Sequence, residues 1–226
     1  MTTRPFSHIV FFIGMFLTIF LWQPGSQVAS KKVNLDKLMG PASPADQDKP
    51  GRLVVMVIDA WPDMARTDLA LNPEIQKLAA RPDAHWVDVT SCAGNFTLPC
   101  LQTLLEGRES PFSSGLHNYT GHEGSGDSLP GIAAARGLRV ANVSDQSLTS
   151  LYGASAVRNV DCSTWIPDPL KRDLRSVDES LAALVKDRVD LLLYHIPGTD
   201  KLSHAEEYGT PPYSHHYKEL DLKLTE

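Results

Sequence analysis

Leu53-Val54-Val55-Met56-Val57-Ile58-Asp59 is the stretch whose reading decides the fold. Its apolar residues follow one another without the alternation of a half-buried strand. Such a run fits a strand covered on both faces, the environment of a parallel sheet. The run stops at an acid. Open α/β sheets bind their ligands beyond the carboxyl ends of the strands, so Asp59 stands where chemistry is expected. A turn or helix cap before Trp61-Pro62 is the plainer role for the same residue.

Outward from this run the pattern repeats. Asp190 to Ile196, with Leu191-Leu192-Leu193 at its centre, reads as a second buried strand and runs into Pro197-Gly198-Thr199-Asp200. Leu138 to Val143 reads as a strand stopping at Ser144-Asp145; Trp86 to Val89 and Ala156 to Val160 are shorter candidates. Helical patterns lie between them. Pro73 to Arg81 carries Ile75, Leu78 and Ala79 on one face, and Ile132 to Arg136 ends at Gly137. Ser176-Val177-Asp178-Glu179 has capping-box spacing and predicts a helix start ahead of Leu181, Leu184 and Val185. Tyr213 to Glu226 reads as a further helix. Alternating strands and helices predict an α/β fold, a mainly parallel sheet with helices on both faces. Residues 107–128, rich in Gly, Ser and His, read as a site-lining loop.

Asn95-Phe96-Thr97-Leu98-Pro99 is the polar entry to another helix. Pro99 opens an apolar run through Leu101, Leu104 and Leu105, and Gly107 closes it. Thr97 therefore stands just outside a helix N-terminus, where the dipole and unpaired N–H groups favour an anion such as phosphate. A simple capping threonine is the alternative. The topology puts Asp59, Thr97 and Asp200 on one edge of the sheet, just past strand ends.

The chain has 226 residues, room for one large domain or two small ones. Hydrophobic residues at 42% with 21% charged describe a globular protein, and a net charge of −6 without a basic block argues against binding to a nucleic acid polymer. Residues 1–30 combine Arg4, an apolar stretch from Ile9 to Trp22, the breaker Pro24-Gly25-Ser26 and small residues at Val28-Ala29-Ser30. They read as a secretory signal or an uncleaved N-terminal membrane anchor. Either implies a secreted, periplasmic or secretory-lumen location. Residues 31–51 read as a linker and 52–226 as the folded domain. Cys92 and Cys100 flank Thr97 and could staple its loop; Cys162 makes the count odd.

Asp200 and His204 stand one helical turn apart, which brings a carboxylate oxygen and an imidazole nitrogen to one side. Those donors suit zinc and similar divalent ions. With Val57-Ile58-Asp59, Asn95 to Pro99, Leu104-Leu105-Glu106-Gly107 and Gly198-Thr199-Asp200 with Ser203-His204 in this order, residues 52–226 resemble the alkaline phosphatase superfamily. The branch they look most like contains the nucleotide pyrophosphatase/phosphodiesterases and the GPI ethanolamine phosphate transferases. The latter also carry a Tyr/Leu/Asp helix like Tyr217 to Asp221.

The resemblance implies a nucleophilic Thr97 and two divalent metal ions. One would be held by Asp59 and Thr97, the other by Asp200 and His204. Zinc is favoured by the mixed donors, with manganese and magnesium as rivals. The resemblance also implies that Asn118 holds a substrate phosphate oxygen, although Ser113 to His117 departs from the family pattern. Asn95, Asn118 and Asn142 each also begin an Asn-x-Ser/Thr sequon. The family's later Asp-His pair has no counterpart after Asp221, so the expectation is an N-terminal portion of the domain. His215-His216 is a weak substitute.

The expected activity is phosphoryl transfer to water or to an alcohol, on phosphate esters. The alternatives are a catalytically incomplete extracytoplasmic binding domain of the same fold, or a sulfatase. Sulfatases of this superfamily need Cys/Ser-x-Pro-x-Arg, and Cys100-Leu101-Gln102-Thr103 does not match it.

Overall fold

Strand β1 (Leu53–Ile58) pairs in parallel with β4 (Leu191–Ile196), which pairs in parallel with β2 (Val140–Ser144), and β2 with β3 (Arg158–Asp161). Their order across the sheet is β1-β4-β2-β3. The structure is a computed structural model describing residues 51–85, 87, 96–110, 114–115, 117, 122–163 and 166–225. The signal or anchor, most of the linker, Asn95, Asn118, Cys92 and most of the Trp86 to Val89 strand lie outside these residues.

The two inner strands, β4 and β2, are buried at all of their positions. β1 departs from the expectation. Leu53, Val54 and Met56 are 50%, 43% and 40% exposed. Among the described residues β1 has a neighbour on one side only, so it is an edge strand and its apolar run is not evidence of two covered faces.

Helices cover both faces. On one side, α2 (Thr97–Glu106), α3 (Leu129–Ala135) and α4 (Gln146–Tyr152) bury Leu98, Leu101, Leu105, Ala133, Leu148 and Leu151. They meet Val55, Val57, Val140, Leu191 and Leu193 of the strands. On the other side, α5 (Pro169–Val185) and α7 (Pro211–Lys223) bring Val177, Ala183 and Leu220 against Ala141, Val143, Leu192, Tyr194 and Ile196. Successive β4 residues thus serve opposite faces, as the pleat requires. Leu202 of α6 (Gly198–Ala205) joins a third cluster with Ala65, Leu71, Tyr213 and Tyr217, against which Trp61 packs.

Local chemistry sets the helix ends. Asp145 caps α4 by accepting from the Ser147 N–H, and Ser128 caps α3 by accepting from that of Gly131. Gly107 ends α2 in the left-handed conformation, φ 64°. α1 (Pro73–Ala79) is capped from a distance: buried Asp221 of α7 accepts from Glu74 N and Ile75 N at 2.8 and 2.9 Å. The capping-box reading of Ser176 is corrected. The helix starts two turns earlier, where Asp168 accepts from Leu170 N and Lys171 N and Pro169 takes the first position. Ser176 lies inside it, its hydroxyl donating to Arg172 O. Among the described residues no helix is long and apolar enough to cross a membrane.

Candidate active site

The burial of Leu98, Leu101 and Leu105 fixes α2 against the sheet with its first residue, Thr97, at the carboxyl edge of the strands. Phe96 at the cap position offers no side-chain acceptor. Thr97 is not a simple cap either: its Oγ1 donates to Asp59 Oδ2 at 2.9 Å. Asp59 Oδ1 accepts from Ala60 N at 3.0 Å, and the Asp59 carbonyl accepts from Thr199 Oγ1 at 2.6 Å. Ala60 has φ 51°, a left-handed conformation that costs a residue with a Cβ about 1 kcal/mol or more. The turn that presents the Asp59 carboxylate is therefore held from both sides, in a conformation the chain would not choose by itself.

His195 meets the same oxygen of that carboxylate as Thr97 does. The ring is completely buried, with Nε2 3.3 Å from Asp59 Oδ2 and Nδ1 3.3 Å from Asp145 Oδ1. Ser144 Oγ donates to Asp145 Oδ1 at 3.1 Å and lies 3.3 Å from the same Nδ1. Burial pulls the imidazole pKa down, but hydrogen bonds and charge from Asp145 and Asp59 outweigh it and raise it to about 9. The opposite balance holds for the acids. Burial pushes Asp145 up and His195 pulls it down further, to about 2; Asp59 is likewise lowered, by His195, Thr97 and Ala60 against burial. The raised imidazole and lowered carboxyl pKa values together favour an imidazolium between two carboxylates. Ser144 and His195 sit at a distance reminiscent of a nucleophile and its base, but Ser144 is wholly buried and no substrate can reach its oxygen.

Asp200 and His204 share one face of α6, with Asp200 Oδ1 and His204 Nε2 3.5 Å apart. The Asp200 pKa is raised, first by burial and then by the Asp59 charge, with a further contribution from Asp145. Three carboxylates thus act on one another around a single buried imidazolium, leaving an excess of negative charge at the strand ends.

α6 is itself anchored. Gly198 N donates to Asp173 Oδ1 of α5 at 2.7 Å, and Asp173 Oδ2 lies 2.7 Å from His216 Nε2 of α7. A Cβ on Gly198 would come within 2.5 Å of both Asp173 Oδ2 and Pro169 O, so the close approach of α6 to α5 requires glycine.

Of the residues singled out by sequence, the fold brings Asp59 and Thr97 into direct contact and sets Asp200, with His204 beside it, within electrostatic reach of Asp59. Asn118 lies outside the described residues. The His215-His216 pair does not form a ligand pair: His216 is buried on Asp173, whereas His215 is exposed and 3.9 Å from Glu219. The Asn142 sequon is not a glycosylation site, because Asn142 is buried with Nδ2 donating to Leu148 O. Cys100 is disulfide-bonded and Cys162 is a free buried thiol. Sequence reasoning gave Asp145 no role in the site. The available signal was positional: Asp145 follows a strand end just as Asp59 does.

The donors present are chemically suited to divalent cations, a carboxylate with a hydroxyl and a carboxylate with an imidazole, and the surplus negative charge favours a cation. Each pair is half a coordination shell. Among the described residues no three His, Cys, Asp or Glu side chains converge as a metal site. No protein-family model matches the chain, and no curated protein matches it significantly.

Proposed function

We propose that this domain is a metal-dependent phosphoryl-transfer enzyme of the alkaline phosphatase type, acting on phosphate esters with Thr97 as nucleophile. The single observation that carries the reading is the Thr97 hydroxyl at a helix N-terminus, donating to Asp59 Oδ2 at 2.9 Å beyond the carboxyl end of a parallel strand. The N-terminal end of α2 favours the phosphoryl charge. Thr97 Oγ, oriented by Asp59, attacks phosphorus as the bond to the leaving oxygen breaks, and the Thr97 proton ends on the departing alcohol. Water or an alcohol then takes the phosphoryl group from Thr97, giving a hydrolase or a transferase such as a phosphoethanolamine transferase.

Asp59 alone is a poor base for an alcohol, since its pKa is lowered. It orients the hydroxyl rather than fully activating it. Divalent ions held by Asp59 with Thr97 and by Asp200 with His204, zinc being favoured, supply the missing Lewis acidity when bound. The disulfide at Cys100 removes that residue from a sulfatase role.

A second reading is a domain that binds a cation or phosphate ester without turnover. It is favoured by the His195 ring already lodged between Asp59 and Asp145. One experiment separates the two. The full-length protein with added zinc is assayed on phosphomonoester, phosphodiester and sulfate ester substrates, beside Thr97→Ala. The enzyme reading expects phosphate-ester turnover that Thr97→Ala lowers on the order of 10³-fold or more without changing the circular dichroism. Turnover that survives Thr97→Ala removes the nucleophile, and zinc binding without turnover favours the second reading.

A further inference from the structure

We propose that Asp145 is a positioning residue: through His195 it holds the Asp59 carboxylate opposite Thr97 and thereby sets the site's affinity for a divalent cation. This deepens the phosphoryl-transfer reading and rests on it. The argument is geometric. His195 is completely buried and has a carboxylate on each ring nitrogen, Asp145 Oδ1 on one and Asp59 Oδ2 on the other, both at 3.3 Å. The ring is therefore a rigid spacer between two strand ends, β2 and β1, that the sheet order separates by β4.

Asp145 is fixed in turn. Its Oδ1 accepts from Ser147 N at 3.0 Å at the start of α4 and from Ser144 Oγ at 3.1 Å. The line Ser147 N, Asp145, His195, Asp59, Thr97 runs from one helix N-terminus to another. The outer partners of a ligating carboxylate or imidazole orient it, and losing one weakens metal binding about 10- to 100-fold.

Serine is the informative replacement, because it caps a helix about as well as aspartate does. Asp145→Ser keeps a cap for α4, but its shorter side chain no longer reaches His195, whereas asparagine would keep an oxygen in the place of every contact that Asp145 makes. Metal-free full-length protein is titrated with zinc by calorimetry, beside nitrogen-15 spectra of histidine-labelled protein. Asp145→Ser should bind zinc about 10- to 100-fold more weakly than wild type with its circular dichroism unchanged. It should also move the His195 ring resonances while leaving those of exposed His204 and His215 in place. Zinc affinity within threefold of wild type, or tighter, overturns the proposal. So do unmoved His195 resonances.

If Asp145→Ser does not fold, Ser144→Ala, which loosens Asp145 without touching Asp59 on His195's other nitrogen, is taken through the same two readouts with the same criteria. Wild-type protein that binds no zinc defeats the phosphoryl-transfer reading instead, and the His195 resonances still decide whether Asp145 holds the ring.

Discussion

Replacing Gly198 by alanine tests the anchoring of α6 with the least chemical change. The added methyl would lie 2.5 Å from Asp173 Oδ2, 2.5 Å from Pro169 O and 2.6 Å from Asp173 Oδ1. Neither obstacle yields easily. Pro169 O is backbone in the first turn of α5, and Asp173 is wholly buried with its oxygens engaged by Gly198 N and His216. Relieving the clash means displacing α6 from α5. Overpacking of this kind costs about 1–3 kcal/mol, and weakening a hydrogen bond to a buried carboxylate about 1.5–3 kcal/mol more. The better helix propensity of alanine offsets up to about 1 kcal/mol. The net expectation is a loss of about 2–4 kcal/mol. Urea unfolding followed by circular dichroism and extrapolated linearly to water measures it. Gly126→Ala is the control, because nothing lies within 4 Å of the Cβ it would gain and its φ is not left-handed. If Gly198→Ala costs no more than this control, about 0.5 kcal/mol at most, the packing argument is wrong.

Two further outcomes are expected. Asp200→Asn removes a carboxylate already crowded by Asp59 and Asp145, so it should lower the zinc bound per chain, by elemental analysis, without lowering the melting temperature of the metal-free protein; unchanged stoichiometry counts against Asp200 as a ligand. In chelator, stability should depend on pH through His195 and Asp145. With its pKa raised from 6.5 to about 9, His195 contributes fully below 6.5 and loses its contribution, roughly 3 kcal/mol, as pH rises through 9. With its pKa lowered from 3.8 to about 2, Asp145 contributes above 3.8 and loses its contribution as pH falls through 2. Melting temperature should therefore decline between pH 7 and 10 in wild type, more steeply than in His195→Gln; parallel profiles would contradict the imidazolium.

The parallel α/β architecture was legible because strands and helices alternate in the sequence and strand ends carry acids. Which apolar run is central was not legible. Leu53–Ile58 and Leu191–Ile196 look alike as strings, and only the order of pairing makes one an edge and the other the middle. The start of α5 was misplaced because Ser-x-x-Glu matches a capping box wherever it falls, whereas Asp168-Pro169 outcompetes it with two backbone bonds and a preset φ. Asp59 and Thr97 were found through motif order. Asp145 was not, since a carboxylate after a strand has meaning only when the strand is known to lie next to the one bearing His195. The Asp173–His216 pair joins positions far apart in the chain and left no local mark.

His195 occupies the last inward place of a column that begins with Leu191 and Leu193. Slipping β4 by a single residue against its neighbours would present Ile196 where the ring now sits, and swing the imidazole into the opposite apolar layer. Strand alignment and site chemistry are thus one variable in this protein. Insertions between elements can be absorbed by loops, but a residue gained or lost within Leu191–Ile196 would exchange a cationic bridge for a greasy plug at one stroke.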